Sequence, residues 1–279
     1  MQVVGRFAPS PSGRIHLGNM FCSLLAWLSV RSKGGQMVLR IEDLDTARCP
    51  RRYADQMEDD LRWLGLDWDI GPGMGGPDEP YYQSERTAVY QAAREKLENM
   101  GLVYPCFCTR GELHAASAPH RSDGQVLYAG TCRHLTAEQI AEKSEKRSPA
   151  LRLRVPDEVW GFTDGHMGVY EENLEKDCGD FLLRRSDGMF AYQLAVVVDD
   201  AAMDVTEVVR APTCWIPRPV SCTSIICWGC EPRPFTMCRC CWLPMDAASA
   251  SGTPTRDWTS CGSAARRRRS SASWRIWPA

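Results

Sequence analysis

Short apolar segments alternate with longer segments of helical periodicity through the first 210 residues of the chain. Strands are predicted where β-branched and aromatic residues cluster, at 3–7, 37–41, 151–155 and 191–198. Because strands and helices alternate, the pattern predicts an α/β fold with a parallel sheet and helical crossovers. Loops are predicted at 71–80 and 115–130, where glycine, proline and polar residues accumulate.

Three helices are predicted between these strands. The first begins near His16 and turns five apolar residues inward: Leu17, Met20, Leu24, Leu25 and Leu28. The second begins after Pro50, which suits a first helical turn, and its buried face contains Tyr53, Met57, Leu61 and Leu64. Ser84 is a suitable N-cap for the third helix, and Gly101 would end it.

Residues 211–279 differ in composition from the rest of the chain. They hold nine arginines, no lysine and three acidic residues, whereas residues 1–210 hold 24 basic and 32 acidic residues. They also contain eight cysteines, six tryptophans and eight prolines but one leucine and one valine, so neither helical nor strand periodicity is present. The sequence therefore predicts a boundary at residue 210 and an irregular C-terminal segment of 69 residues.

The composition indicates a globular protein, because a hydrophobic content of 44% is ample for a buried core. Fourteen cysteines are many for a reducing compartment, but eight of them lie beyond residue 210. No apolar run approaches the ~18–20 residues that span a bilayer, and the first residues lack the basic and apolar regions of a signal peptide. We therefore expect a cytoplasmic protein with no membrane partner.

The first chemical motif is a strand that breaks at two prolines and a glycine and then enters a helix. It occupies residues 6–19 and places His16, Gly18 and Asn19 at the start of the helix. Free N–H groups and the positive end of the helix dipole attract phosphate there, and Gly18 lets a nucleobase or sugar approach the backbone. The motif indicates nucleotide binding, although each feature taken alone also fits a structural turn.

Three segments together resemble the class I aminoacyl-tRNA synthetases of the glutamyl type. Residues 9–13 read PSPSG and residues 16–19 read HLGN, where the family has P-S-P-[ST]-G followed by H-x-G-x. Residues 40–45 read RIEDLD, and residues 179–200 match a third block of the family. The resemblance covers nearly all of the first 210 residues and implies a class I synthetase catalytic domain of Rossmann-like α/β fold.

Within that family the chain is most similar to the truncated paralogues, the glutamyl-queuosine tRNA(Asp) synthetases, because of a metal-ligand spacing. Cys106, Cys108, Tyr128 and Cys132 give C-x-C followed by Y-x3-C, three thiols and a phenol that suit a four-coordinate zinc ion. Buried free cysteines are the alternative. The resemblance favours one structural Zn²⁺ and three units: a first catalytic half at 1–104, a zinc-binding insertion at 105–150 and a second catalytic half at 151–210.

The resemblance also implies a glutamate pocket. The backbone atoms of glutamate would be held by one group of residues: Arg6, Phe7, Ala8, Pro9, Ser10 and Glu42. Tyr192 would line the pocket, and Arg210 would pair with the side-chain carboxylate of glutamate. Without the resemblance, Glu42 and Arg40 fit a solvated pair at a strand end, and Tyr192 fits a core aromatic. For Asp199 and Asp200, ribose binding and loop capping both stay open.

The implied reaction is ATP-dependent activation of L-glutamate and transfer of the glutamyl group to queuosine in tRNA(Asp). His16, Gly18 and Asn19 would bind the nucleotide, and His16 and Asn19 would contribute to catalysis by positioning and by stabilising phosphate charge. Mg²⁺ would accompany ATP, and a monomer is expected. Two alternatives stay open: a noncatalytic nucleotide-binding or zinc-binding remnant, and a fragment of an ordinary glutamyl-tRNA synthetase.

After Arg210 the sequence departs from the family, which continues with a leucine-rich segment and a lysine-containing loop. Back-translation of residues 211–230 with one G restored yields GADLLDSTPRQLYLYHLLGL, which has the family pattern. Leucine codons CTG become TGC or TGG when shifted by one base, which explains the excess of cysteine and tryptophan. We hypothesise that residues 211–279 are out of frame. A cysteine-rich zinc or disulfide module is the alternative.

Overall fold

A computed structural model describes residues 2–109, 111–113, 128–165 and 168–209. Its strands are β1 (Val4–Phe7), β2 (Gln36–Leu39), β3 (Val103–Cys106), β4 (Ala150–Leu153), β5 (Val159–Asp164), β6 (Gly168–Asn173) and β7 (Phe181–Arg184). Its longer α-helices are α1 (Leu17–Arg31), α2 (Arg51–Trp63), α3 (Thr87–Asn99), α4 (Ala137–Lys146) and α5 (Tyr192–Ala202). Arg210, the segment 211–279 and most of the predicted loop at 115–130 lie outside the described residues.

The N-terminal half is built on a parallel sheet. Strand β1 pairs with β2, with Val4 opposite Gln36 and Phe7 opposite Leu39, and α1 is the crossover between them. Single parallel bridges extend the layer from Gly5 to Glu207 on one side. On the other side they join Val38 of β2 to Ile70, and Ile41, just beyond β2, to Tyr82. This arrangement confirms the predicted α/β class, with a parallel sheet and helical crossover for the first two predicted strands. The predicted strand at 151–155 instead forms β4 of an antiparallel sheet.

Gly5 shows how closely α1 packs on this sheet. A Cβ atom at position 5 would lie 2.3 Å from Cγ2 of Val30, a distance that no side chain tolerates. The glycine therefore sets the separation between β1 and α1, and one core cluster contains apolar side chains from both strands, α1 and α2, among them Phe7, Val30, Leu39 and Leu61.

The second half of the described chain contains an antiparallel sheet of order β3-β4-β7 and the hairpin of β5 and β6. Helices α3 and α5 pack against this sheet, and their apolar residues form a second core cluster around Tyr90, Leu153 and Leu194. None of the described helices combines the length and the hydropathy that crossing a membrane requires.

The predicted strand at 191–198 is wrong, because these residues belong to helix α5. The run of valines has high strand propensity, and a short continuous apolar run does not separate a buried strand from a buried helix. Residues 194–200 are all buried, so the helix is surrounded by protein and shows no polar stripe that would reveal its period.

The predicted inner face of α1 is also wrong in part. Leu17, Leu24 and Leu28 are 62%, 39% and 48% exposed, whereas the buried side chains of this helix are Met20, Ala26 and Val30. The helix is apolar on most of its circumference, so leucine positions alone do not identify the packed face.

The other two helices follow the predictions more closely. Helix α2 follows Pro50 and buries Met57 and Leu61, while Tyr53 and Leu64 are half-buried. Gly101 has a φ of +71° just beyond α3, as its predicted terminating role requires. Ser84 does not cap α3: it lies in a 3₁₀ turn at Gln83–Glu85, and α3 begins after Arg86.

Candidate active site and metal centre

The carboxyl ends of β1 and β2 bring most of the predicted glutamate contacts to one edge of the parallel sheet. The Arg40 N–H donates to the Phe7 carbonyl, and the Glu42 N–H donates to the Pro9 carbonyl, both at 2.9 Å. The segment Ala8, Pro9 and Ser10 therefore runs beside the strand end that carries Glu42. Ligands of open α/β sheets bind at this edge, so the placement suits the predicted pocket.

Arg40 links Arg6 and Glu42, the two charged residues among the predicted glutamate contacts at this edge. Its side chain is fully buried, and its guanidinium donates to Asp200 Oδ1 at 2.7 Å and to Glu42 Oε1 at 3.1 Å. Arg6 Nε donates to the same Asp200 oxygen at 3.0 Å. Arg6 and Glu42 are thus held through Arg40 and Asp200, and the alternative of a solvated pair of Glu42 and Arg40 is wrong.

Asp199 is a second centre of the buried charge network, and its role was missed from sequence. It accepts hydrogen bonds from Arg86 Nε at 2.7 Å and from Gln83 Nε2 and the Tyr90 hydroxyl at 2.8 Å. Its side chain is fully buried, and Arg40 Nε lies 3.7 Å away. Asp199 and Asp200 therefore act as ion-pair partners within the protein. This role differs from both sequence-based alternatives, ribose binding and loop capping.

The electrostatics of the network distinguish a fixed charge from one that titrates. Burial lowers the pKa of Arg40, but the carboxylates of Asp200, Glu42 and Asp199 raise it by more than burial lowers it. The net effect is a raised pKa, so this guanidinium stays charged. Burial raises the pKa of Glu42, and Arg40 and Arg6 only partly oppose the rise. Glu42 is therefore protonated more readily than an exposed glutamate.

The start of α1 carries the predicted nucleotide-binding residues on the protein surface. His16 is the N-cap, just before the helix and not in its first turn, and its Nδ1 accepts the Asn19 N–H at 3.3 Å. In neutral His16 this contact leaves the proton on Nε2, which can donate outward to an anion. No acidic residue lies in the first helical turn, so the positive end of the helix dipole is not neutralised there.

Tyr192 is the first residue of α5, and its side chain is 45% exposed. A core aromatic is therefore excluded, while its predicted place in the glutamate pocket stays a prediction. Arg210, the predicted partner of the glutamate side chain, lies outside the described residues.

Three of the predicted metal ligands converge. The sulfur atoms of Cys106, Cys108 and Cys132 all lie within 4.8 Å of one another. The Tyr128 hydroxyl lies 3.5 Å from Cys106 Sγ and accepts the Cys132 N–H at 2.8 Å. Three thiols and a phenol oxygen suit a tetrahedral zinc ion, so the donor set fits the predicted group.

The thiols of this cluster differ in their tendency to ionise. Burial raises the pKa of Cys108 to about 12, and the neighbouring sulfur atoms add to the rise. Burial acts in the same direction on Cys106, but hydrogen bonds involving Tyr128, the Cys108 backbone and Arg152, together with the charge of Arg152, outweigh it, and the pKa of Cys106 is lowered. The protein environment thus favours one thiolate among the three sulfur atoms.

Residues 2–225 match the family described as tRNA synthetases class I (E and Q), catalytic domain. This chain belongs to that family. The resemblance stated from the sequence motifs is therefore confirmed, and the match extends past the boundary predicted at residue 210.

Curated relatives of this family carry two names. A glutamyl-Q tRNA(Asp) synthetase of Nitratidesulfovibrio vulgaris is 55% identical over 208 residues, covering 74% of this chain and 64% of the relative. One from Deinococcus radiodurans is 45% identical over 78% of this chain and 69% of the relative. A glutamate–tRNA ligase of Halorhodospira halophila is 48% identical, but the match covers 44% of that protein. The chain thus spans less than two thirds of the first of these relatives.

Solved structures support the same fold. A glutamate–tRNA synthetase of Elizabethkingia anophelis superposes with a TM-score of 0.74 at 28% identity, over 91% of this chain and 55% of that protein. A glutamate tRNA ligase of Elizabethkingia meningosepticum, determined in complex with its amino acid, gives a TM-score of 0.73 at 28% identity. That comparison covers 91% of this chain and 54% of the ligase.

Proposed function

We propose that the chain activates L-glutamate with ATP and transfers the glutamyl group to queuosine in tRNA(Asp). The observation that carries this proposal is the buried network that holds Arg6 and Glu42 at the carboxyl edge of the parallel sheet. An arginine and a carboxylate held at one edge complement the carboxylate and ammonium groups of an amino acid. The names of similar curated proteins, the glutamyl-Q tRNA(Asp) synthetases, support glutamate as the amino acid and tRNA(Asp) as the acceptor.

In the proposed reaction the chain acts by positioning and by charge. The ammonium group of glutamate pairs with Glu42, while Arg6 and the segment Phe7, Ala8, Pro9 and Ser10 orient its carboxylate. A carboxylate oxygen attacks the α-phosphorus of ATP, the bond to pyrophosphate breaks, and glutamyl adenylate forms. Tyr192 lines the pocket, and Arg210 pairs with the side-chain carboxylate.

The start of α1 acts on the nucleotide. His16, Gly18 and Asn19 bind ATP, which enters with Mg²⁺ as its counter-ion. The negative charge that develops on phosphate is stabilised by the outward proton of His16 and by the helix N-terminus. The queuosine base then takes the glutamyl group, AMP leaves, and no covalent intermediate with the enzyme is involved.

Glutamate-dependent ATP–pyrophosphate exchange tests the first step. Transfer of radiolabelled glutamate is then compared on three acceptors: tRNA(Asp) with queuosine, the same tRNA lacking queuosine, and tRNA(Glu). Transfer to the first alone is expected. Labelling at the 3′ end of tRNA(Glu) would instead indicate a fragment of an ordinary glutamyl-tRNA synthetase. If a protein with the reading frame restored after Arg210 showed no pyrophosphate exchange, the chain would be a noncatalytic remnant.

We also propose a structural Zn²⁺ held by Cys106, Cys108, Tyr128 and Cys132, which would stabilise this part of the fold. For this test, the eight cysteines of residues 211–279, the C-terminal tail, are replaced by serine in the full-length protein. Elemental analysis of that protein should find one zinc per chain. Cys108→Ser should lose the ion, whereas Cys22→Ser, outside the cluster, should retain it. Zinc retained by the Cys108→Ser variant would contradict this ligand set. The expected monomer is checked by light scattering, and cytoplasmic location by cell fractionation.

A further inference from the structure

Arg152 is a buried cation for which the described part of the chain provides no carboxylate partner within ion-pair distance. It lies within β4, opposite Tyr104 of β3 and Leu182 of β7, and 8% of the residue is exposed. Its Nη1 donates to the carbonyl oxygen of Asp180 at 2.9 Å, which is a neutral acceptor. Its Nε has no hydrogen-bond partner among the described residues. Because an unpaired buried charge is costly, an anion is expected beside it.

The cysteine cluster supplies that anion when it binds a metal ion. The Arg152 guanidinium carbon lies 3.7 Å from the centre of the Tyr128 ring, and the Tyr128 hydroxyl lies 3.5 Å from Cys106 Sγ. Three thiolates around one Zn²⁺ leave one net negative charge, and a phenolate ligand adds another. A guanidinium stacked on the ring of the fourth ligand is placed to offset this charge.

The contacts of Arg152 also fix the ring that it covers. Its planar guanidinium lies over one face of Tyr128, while the Cys132 N–H holds the hydroxyl from another direction at 2.8 Å. Asp180, whose carbonyl binds Arg152, accepts from the Tyr104 hydroxyl and the Val155 N–H through its carboxylate. The ring is therefore anchored to the β3-β4-β7 sheet through one arginine.

We propose that Arg152 compensates the charge of the metal centre and positions Tyr128 as its fourth ligand. This inference rests on the zinc centre proposed above and not on the synthetase reaction. A lysine at this position would keep the charge but lose the planar stacking and the fixed geometry of the guanidinium.

Zinc affinity tests the proposal in the full-length chain whose eight tail cysteines are replaced by serine. Competition with a chromogenic chelator should show that Arg152→Gln raises the zinc Kd roughly 10- to 100-fold, as loss of a supporting contact to a ligand does. Arg152→Lys should lose less affinity. Arg94→Gln is the matched control, because the Arg94 side chain is 14% exposed and pairs with Glu98 on α3, and its Nε likewise has no hydrogen-bond partner among the described residues.

Thermal unfolding separates this role from simple packing. In zinc-free protein the cluster carries less negative charge, so Arg152→Gln should change the midpoint less than it does in zinc-loaded protein. In zinc-loaded protein the same change should lower the midpoint, because the cluster then loses its counter-charge. An equal loss of stability in both states would assign Arg152 a packing role and overturn the proposal.

The remaining outcomes distinguish this inference from the zinc centre itself. Equal zinc affinity in Arg152→Gln and Arg94→Gln, together with loss of zinc in Cys108→Ser, would overturn the role of Arg152 and leave the zinc centre standing. A parent protein that binds no zinc would overturn both. Neither zinc affinity nor the unfolding midpoint depends on pyrophosphate exchange. A failure of the synthetase proposal would therefore be detected in a separate measurement.

Discussion

Glu42 is the residue of the candidate site whose charge should govern pH dependence. Its pKa is raised by burial, and the neighbouring guanidinium groups only partly reverse this, so it takes up a proton at a higher pH than an exposed glutamate. We propose that the carboxylate binds the ammonium group of the substrate. The affinity for glutamate should then be highest above the pKa of Glu42, where the carboxylate is ionised, and should fall as the pH drops through that pKa.

We predict that Glu42→Gln weakens glutamate binding roughly 10- to 100-fold, because a charge-assisted hydrogen bond is lost. Affinity should fall with decreasing pH in the parent and stay weak and nearly constant in the variant. Isothermal titration with L-glutamate across a pH series measures both. Glu95→Gln, on the exposed surface of α3, is the control and should keep the parent profile. An unchanged pH profile in Glu42→Gln would show that another group titrates.

The sequence revealed residues whose chemistry is encoded in local spacing but not residues whose partners lie far along the chain. The convergence of Cys106, Cys108 and Cys132 followed from a short motif. Asp200 gave no such signal, because its partner Arg6 lies 194 positions away. A buried charge at the end of an apolar run indicates that a partner exists, but its identity emerges only when the sheet and α5 are assembled.

The acidic end of helix α5 holds α3 and the turn that precedes it. The Asp199 carboxylate accepts hydrogen bonds from Arg86, Gln83 and Tyr90, all of which precede or belong to α3. We predict that Asp199→Asn lowers the free energy of unfolding by about 3–5 kcal/mol, because Arg86 is left buried without its counter-charge. Urea unfolding followed by circular dichroism measures the change.

A surface ion pair provides the comparison for that prediction. Asp187 binds Arg185, and their side chains are 50% and 39% exposed. Asp187→Asn should therefore cost less than about 1 kcal/mol. Similar losses in the two variants would mean that burial of Asp199 adds no stabilisation.

Elements with a polar side were predictable from sequence, and elements enclosed by protein were not. Helix α2 alternates exposed and buried residues, so its buried Met57 and Leu61 were identified from their spacing. Helix α5 is buried along residues 194–200, and its valines favoured a strand. Helix α1 exposes Leu17, Leu24 and Leu28, which hydrophobicity alone directs inward. In both failures tertiary packing determined an outcome that local propensity did not encode.

For the whole molecule, the reading frame after Arg210 should determine catalytic activity. Residues 211–279 contain no lysine, whereas the resemblance to the glutamyl-type synthetases implies a lysine-containing loop that neutralises the pyrophosphate leaving group. Loss of one such charge donor typically costs about 10²–10³ in rate. We predict that the 279-residue chain is slower than a one-base-restored version by at least this factor in ATP–pyrophosphate exchange. Equal rates would show that the lysine loop is dispensable.

Resequencing the gene across the Arg210 codon tests the frame directly. An intact read without a leucine-rich alternative frame would contradict the hypothesis and favour a cysteine-rich module. In that case the tail cysteines should bind metal or form disulfides, which elemental analysis of the isolated full-length chain and thiol titration can measure.

The ion pairs that join Arg6 and Arg40 to Asp200 also determine when the chain can fold during its synthesis. The ribosome makes both arginines early, and Asp199 and Asp200 emerge only after nearly all of the described residues have been translated. Until then the first two strands cannot bury Arg40 without leaving its charge short of partners, so we expect this part of the nascent chain to stay incompletely folded. A frame change before residue 199 would release a product unable to fold, whereas one after residue 210 leaves every member of this network in place.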